Sequence, residues 1–459
     1  MKSYAHATEA EILARARQLL GKRVSELHEL VADVMVNNNE KGQVGNVIQH
    51  FGFGLPPNSL AEPDFAGESI ELKIIPLTRS GKGRLRVKER TKVCSINYQS
   101  LVKEVWGESH AHAKLNKILF IVVEHDYEQK LDSKIIDAFI FRVPEAEDYS
   151  VIQSDWERTQ STVREGRAHE ISESHNKILA ASRAGSGGPK DLTIQPYSDI
   201  KAPKRAFSLK PNYTNAILEE YKAKGKMISL SELLGVPSDS VLNETLRRLH
   251  EWEGKSVAAF ADNFQLSLNP KSKSVASSMI RAALGLKGEK TRIREFEREG
   301  IILKTQSRKI GTGEALEHLS FPHQPMRSIY EEEYFEDSQL ASYLQNFLFI
   351  PIYKPSKKSY NLAEWKIGRA YHWKPSDKEL YDIKEEWTLF RDKIREGINL
   401  TKVSVNSKRG FIIKNDLPKS SETRYIHMRP HGRDGSDVDK SMDFNGKYIV
   451  KMSFWLTQH

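Results

Sequence analysis

Apolar residues recur along this chain at two spacings, and the spacing changes from segment to segment. Over Glu9–Leu20 and Val24–Val36 they return every three or four positions, the period of a helix with one apolar stripe, and Gly45–Phe51 continues in the same pattern. Over Ser69–Ile75, Thr91–Tyr98, Lys117–Val123 and Ala138–Val143, β-branched and aromatic residues predict strands. Tyr149–Gly166 predicts an amphipathic helix stopped by its glycine. Arg183–Lys190 is too polar and glycine-rich for a regular element. Strands and helices mixed in this way predict an α+β fold with a mixed central sheet flanked by helices.

The pattern comes twice. Gly21-Lys22-Arg23-Val24, followed by Leu27, returns as Gly254-Lys255-Ser256-Val257, followed by Phe260. Ile70-Glu71-Leu72-Lys73 returns as Ile301-Ile302-Leu303-Lys304, so that Lys73 matches Lys304 (304 − 73 = 231) and Asp64 matches Glu295 (295 − 64 = 231). Trp156 and Gly166 return as Trp387 and Gly397 at the same offset (387 − 156 = 231; 397 − 166 = 231). Leu192-Thr193-Ile194-Gln195-Pro196-Tyr197 resembles Ile426-His427-Met428-Arg429-Pro430-His431, and Ala206–Leu209 loosely resembles Ser453–Leu456. Matches in one order at nearly one offset imply duplication. Two tandem domains are expected, 1–222 and 250–459, joined by the polar, helix-rich stretch 223–249.

One strand carries candidate chemistry. In Ile70-Glu71-Leu72-Lys73-Ile74 the two polar side chains share one face and the three apolar ones the other. Asp64 can return to the polar face across a turn at Ala66-Gly67-Glu68. Two carboxylates can hold a hard divalent cation, and a neighbouring lysine can stabilise charge developing on a phosphate. The same spacing also suits an ordinary solvated strand face. The second copy has Ile302 where the first has Glu71. Isoleucine cannot bind a metal ion, so the second domain is expected to keep the fold and lose the carboxylate pair.

Composition narrows the partners. The 459 residues are 39% hydrophobic and 29% charged, which excludes global disorder, and a net charge of +9 suggests a polyanion, nucleic acid first. The single cysteine, Cys94, excludes an intrachain disulfide and a cysteine zinc site, and its strand-like surroundings suggest a buried thiol. No apolar run is long enough to span a bilayer and the first residues lack a signal-peptide core, so a cytoplasmic protein without a membrane partner is expected. His110 and His112, two apart on an expected strand, could reach zinc, but without a third ligand a solvated or hydrogen-bonded pair is expected. The basic run Lys82–Arg90 reads as a solvated hairpin or as a clamp on a nucleic-acid backbone.

These residues identify a family. Leu19-Leu20-Gly21-Lys22, Lys41-Gly42-Gln43-Val44-Gly45, Pro63-Asp64-Phe65, Glu71-Leu72-Lys73, Ser109–Leu115, Asp155-Trp156 and Ala206–Lys210 resemble, in order, the MutH family of the PD-(D/E)XK nuclease superfamily. The two-domain build and the run Gln195–Ala202 resemble its restriction endonucleases that carry a second, inactive MutH-like domain. The resemblance implies Mg²⁺-dependent cleavage of double-stranded DNA at GATC by a type II restriction endonuclease, with a cognate DNA methyltransferase in the same system. It implies a monomer that can dimerise on DNA and a C-terminal domain that binds a second site as effector. Asp64 and Glu71 are the implied metal ligands and Lys73 the implied catalytic lysine, acting on the attacking water or on the phosphate. Gln49 stands where the family has a further glutamate, and Lys114 aligns with a second active-site lysine, although a solvated lysine would read the same way. Gln195, Pro196, Tyr197 and Ser208 are implied DNA contacts in the first copy, and Arg429, Pro430 and His431 in the second. The basic stretch Lys201, Lys204, Arg205 suits phosphate contacts. A mismatch-repair nicking enzyme and a non-cleaving DNA-binding protein are the alternatives. The second domain argues against the first of these and the intact Asp64, Glu71 and Lys73 against the second.

Overall fold

The structure, a computed structural model, describes residues 2–28, 42–56, 62–79, 85–143, 148–185, 189–223, 227–272, 274–286, 292–344, 346–404, 411–430, 440–442, 448–450 and 452–457. The chain forms two compact units that divide at Glu219 and Glu220.

Unit 1 begins with helix α1 (Glu9–Gln18). It starts at Thr8 because Thr8 and Glu11 close a capping box, and it buries Ile12 and Ala16. A short helix α2 (Gln43–Val47) runs on through a π-helical turn to Gly52. The central sheet is β2 (Leu85–Val87), β1 (Glu71–Arg79), β4 (Ile118–Glu124) and β5 (Lys134–Phe141), in that spatial order. β1 and β4 are parallel, with Glu71 opposite Ile118 and Lys73 opposite Phe120. Ile70, Leu72, Leu119 and Ile121 enter one core with α1. Ile75, Leu77, Phe120 and Val122 enter another, built with Ile152, Trp156 and Val163 of helix α4 (Tyr149–Arg164). The expected half-solvated strand is therefore covered on both faces, the usual condition of a parallel strand. A second sheet orders β3 (Thr91–Ser95), β9 (Arg205–Leu209) and β6 (Leu179–Arg183). Strands β7 (Leu192–Gln195) and β8 (Ser198–Pro203) form a separate hairpin turned at Pro196-Tyr197. Helix α3 (His110–Leu115) precedes β4, and helix α5 (Pro211–Ala223) follows β9.

Unit 2 repeats this order. β12 (Ile301–Lys309) runs parallel to β14 (Asn346–Lys354), with Lys304 opposite Phe349 as Lys73 is opposite Phe120. β15 (Lys366–Ile367) and β16 (Tyr371–Trp373) pair antiparallel with β14. β19 (Ile426–Pro430) lies on β22 (Met452–Leu456) in a sheet with β13 (Leu319–Ser320). Between them, β20 (Lys440–Met442) and β21 (Tyr448–Val450) form a hairpin. Four strands have no counterpart among the described residues of unit 1: the parallel pair β10 (Met227–Ile228) and β11 (Arg292–Ile293), and the hairpin β17 (Leu400–Ser404) with β18 (Phe411–Asn415).

The repeated Gly-Lys motif proves to be a docking turn. Gly21 donates to Ile135 O at 2.8 Å and Val24 to Ser133 O at 3.0 Å, while Gly254 donates to Ile367 O at 2.8 Å and Val257 to Trp365 O at 2.9 Å. Both glycines have positive φ, 86° and 79°, which glycine adopts without steric cost. Trp156 and its match Trp387, on helix α11 (Asp377–Glu396), are both buried.

Several expectations change. Val24–Glu26 is only a short turn, and the rest of the expected helix to Val36 lies largely outside the described residues. Unit 2 takes in residues 227–249 of the expected join rather than starting at 250. Leu230 of helix α6 (Leu230–Leu234) and Val241 and Leu249 of helix α7 (Val241–His250) enter the core of unit 2, because their apolar stripes need a partner face. His110 and His112 sit on α3, not on a strand. Residues two apart on a helix point in different directions, and His112 packs edge-on against Trp106 and Tyr149. Among the described residues no three or more histidine, cysteine or acidic side chains gather as a metal site. Cys94 is buried, and burial pushes its thiol up to about 12.

Candidate active site

Five of the expected side chains meet in unit 1. Asp64 precedes a tight turn in which Phe65 bridges to Ile70, so the loop returns the carboxylate to the start of β1. There Asp64 Oδ2 accepts from the Leu72 backbone N–H at 2.9 Å, and Oδ1 accepts from Gln49 Nε2 at 3.0 Å. Glu71 is only 2% exposed. Its two oxygens accept from different lysines, Oε1 from Lys73 Nζ at 2.5 Å and Oε2 from Lys114 Nζ at 2.8 Å. Lys114 also donates to Glu62 O at 3.2 Å, which ties the last turn of α3 to the loop carrying Asp64. Lys114 is buried, so the solvated reading of this lysine is overturned.

The electrostatics are those of two acids forced together. Burial first, and then the neighbouring Glu71, push the Asp64 carboxyl above the usual aspartate range, against the Leu72 N–H, Lys73 and Lys114. A pair of crowded carboxylates with an amide oxygen nearby is a donor set for a hard cation, and the one thiol of the chain is buried and strongly disfavours thiolate. Asp64 and Glu71, with Gln49 beside them, therefore fit a divalent ion.

In unit 2 the arrangement is dismantled. Ile302 takes the place of Glu71. Glu295 is buried on helix α10 (Arg294–Glu299) and accepts from Ser229 Oγ and from the Leu230 and Ser231 N–H groups at 2.8–3.1 Å, which caps α6.

The expected DNA contacts divide by exposure. Tyr197 is 74% exposed at the turn of the β7–β8 hairpin, and Lys201 and Lys204 are exposed beside it. A Cβ on Gly166, at the end of α4, would lie 2.5 Å from Tyr197 O, so this glycine seats the hairpin turn. The others are enclosed. Gln195 accepts from Ala168 N–H at 2.7 Å and donates to Ile200 O at 2.5 Å, and Pro196 is buried next to it. Arg205 donates to Ala181 O at 2.7 Å and to Ile171 O, and Ser208 meets the Ser182 hydroxyl at 2.7 Å. These four side chains brace the hairpin and its sheet.

The expected match of Gln195-Pro196-Tyr197 with Arg429-Pro430-His431 is corrected. Asp155 on α4 accepts from the Lys177, Ile178 and Leu179 N–H groups, and Glu386 on α11 accepts from those of Arg424, Tyr425 and Ile426. Leu179 pairs with Leu209, and Ile426 with Leu456. β19 is thus the counterpart of β6, and the β20–β21 hairpin that of β7–β8. Arg429 matches Ser182 and stacks its guanidinium 5.3 Å from the Trp455 ring. His431 lies outside the described residues. Sequence carried a signal for this register. The closing strands match at 454 − 207 = 247 and so does 426 − 179 = 247, whereas 426 − 192 = 234 agrees with nothing else. The step from 231 to 247 is taken up by the extra β17–β18 hairpin.

Comparison with known proteins agrees with this anatomy. A family model described as "DNA mismatch repair enzyme MutH" matches residues 53–155 and 284–386, again 231 apart (284 − 53 = 231; 386 − 155 = 231). The chain is 28% identical to the type II restriction enzyme Sau3AI of Staphylococcus aureus over 99% of its own length and 97% of that protein. It is 32% identical to the DNA mismatch repair protein MutH of Vibrio vulnificus, covering 93% of that protein with 46% of its own length. The chain belongs to the MutH family, as a type II site-specific deoxyribonuclease built from two MutH-like domains.

Proposed function

We propose that unit 1 hydrolyses duplex DNA at GATC with Mg²⁺, and that unit 2 binds a second GATC duplex without cutting it. The observation that carries this reading is the closed cluster of Gln49, Asp64, Glu71, Lys73 and Lys114 in unit 1, set against its dismantled counterpart around Ile302 and Glu295. GATC is the site that the family resemblance implies.

Asp64 and Glu71 would hold the ion, which lowers the pKa of a bound water and screens phosphate charge. Lys114 neutralises one oxygen of Glu71 from the buried side and sets the loop through Glu62 O. Lys73 neutralises the other oxygen and is the more exposed lysine, 20% against 10% for its side chain. It is the cation placed to orient the attacking water or to meet charge on the phosphate. Gln49 holds Asp64 through its amide and adds no charge to the crowded pair. Lys201 and Lys204 supply backbone contacts, and Tyr197 is the exposed side chain at the hairpin turn that can reach a base edge. An enzyme cutting so frequent a site needs a GATC methyltransferase in its host. The protein acts as a monomer that can pair on DNA.

The test is incubation of the full chain with Mg²⁺ and plasmid, followed by sequencing of the ends. Double-strand breaks mapping to GATC are expected. Nicks alone would assign a repair-type enzyme, and uncut plasmid would refute cleavage.

A further inference from the structure

In unit 1, Ile75, Leu77 and Phe139 lie in the apolar core. Their counterparts in unit 2 are Gln306, Arg308 and Tyr371. The first two follow from the offset (306 − 75 = 231; 308 − 77 = 231). The third follows from register, since Phe120 pairs with Phe139 and Phe349 with Tyr371. Three core positions have become polar together, and they are connected. Arg308 Nε and Tyr371 Oη both donate to Gln306 Oε1 at 2.9 Å, and Arg308 Nη1 donates to Gly313 O at 2.7 Å. Gln306 is buried. Exchanging apolar core for a polar network gives up hydrophobic burial and stabilises only when every group is satisfied, so this set calls for a role beyond folding.

The sheet opens at the same place. β5 is continuous, but its counterpart is broken into β15 and β16 by Gly368-Arg369-Ala370. Pro351 occupies the position of Val122 and has no N–H to donate. Gly368 instead donates to Pro351 O at 2.8 Å, in a contact where a Cβ would lie 2.7 Å from the Tyr353 ring. The break borders a cavity of ≈ 620 Å³ lined by Arg308, Lys366, Arg369, Glu253, Tyr353 and Tyr371, among others. Its size is that of a small-molecule site. Three cations face one carboxylate, and only Arg369 pairs with that acid, at 3.1 Å. Arg308 is held in place by Gln306 and Gly313, and tyrosine rings stand beside it.

We propose that this cavity binds a 5′-phosphorylated nucleoside, with phosphate on Arg308 and Lys366 and the base against tyrosine. Two sources share that chemistry, a free nucleotide and the 5′-phosphate end of a DNA strand. The test titrates the full chain with deoxyguanosine 5′-monophosphate, and with a short single strand lacking GATC, 5′-phosphorylated or not, by calorimetry. Saturable binding is expected, competed by inorganic phosphate. Arg308→Leu, which installs the residue of the first copy, and Lys366→Glu, at an exposed position, should each weaken it at least about tenfold. Binding of the free nucleotide alone assigns a small-molecule site; binding of the strand only when phosphorylated assigns a DNA-end site. Failure of both probes to bind at millimolar concentration, or equal binding by wild type and Lys366→Glu, overturns the proposal.

Discussion

Lys114→Met gives the sharpest test of how the candidate active site is balanced. Glu71 is buried between two ammonium groups, and Lys114 supplies the more buried of them. The substitution keeps the length of the side chain and its contacts along the stem while removing the charge. Breaking a fully buried ion pair costs about 3–5 kcal/mol. Lys73 still holds the other oxygen of Glu71, so the expected loss falls below that range, at roughly 2–3 kcal/mol. For a unit of this size 1 kcal/mol is about 2–4 °C, which places the melting temperature about 4–12 °C lower in EDTA. A divalent ion on Asp64 and Glu71 supplies the missing positive charge. At a concentration about 100 times its dissociation constant it returns about 2.7 kcal/mol, so Ca²⁺ or Mg²⁺ should raise the variant close to the parent. The assay is a pair of melts, with chelator and with metal, followed by far-UV circular dichroism. A variant that melts within 2 °C of the parent in EDTA would show that Glu71 does not depend on Lys114. A large loss that metal leaves untouched would show that the carboxylate pair holds no ion, and the reasoning would fail.

Asp64→Ala and Glu71→Ala should each lower cleavage at least about a thousandfold, with GATC binding in Ca²⁺ largely kept; near-parental cleavage by either would remove it from the site. Gln49→Ala should slow cleavage only modestly, because a neutral amide contributes one hydrogen bond to Asp64, and a variant as inactive as Asp64→Ala would show that the glutamine is essential. The raised Asp64 carboxyl means that the folded chain holds this proton more tightly than the unfolded chain, so stability falls as pH rises from the ordinary aspartate range through the raised value. Metal-free Asp64→Asn should therefore melt above the parent near neutral pH, with the gain vanishing toward pH ~4, and a melt equal to or below the parent at neutral pH would contradict the crowding of the two acids. Tyr197→Ala and the pair Lys201→Ala/Lys204→Ala should both weaken DNA binding, the lysine pair alone reducing the salt dependence; gel shifts across a salt series separate the two effects.

What the chain determined by itself is what short-range pattern and repetition can encode. The alternation in Ile70–Ile74 fixed which side chains leave β1 on the acid side, and the 231-residue offset fixed the second copy and its missing carboxylate at Ile302. α4 ends two residues before Gly166, whose φ of 71° is a glycine conformation, and so its end could be read from composition. Tertiary structure decided what distance along the chain conceals. Lys114 and Lys117 stand at nearly the same distance from Glu71 in sequence, and only the fold of α3 against the Asp64 loop brings Lys114 to the carboxylate while Lys117 pairs with Glu9 and Glu68. Gln195, Arg205 and Ser208 look like free polar side chains in a basic stretch, yet strand pairing turns them inward, where Gln195 and Arg205 satisfy buried backbone groups and Ser208 meets the Ser182 hydroxyl. The β19 register was hidden for a related reason. A sixteen-residue insertion changes the offset without leaving a motif, so the shared offset of 247 is easily passed over, and the carboxylates of Asp155 and Glu386, each gathering three backbone N–H groups from a segment about 22 to 40 residues away, show which strand is which.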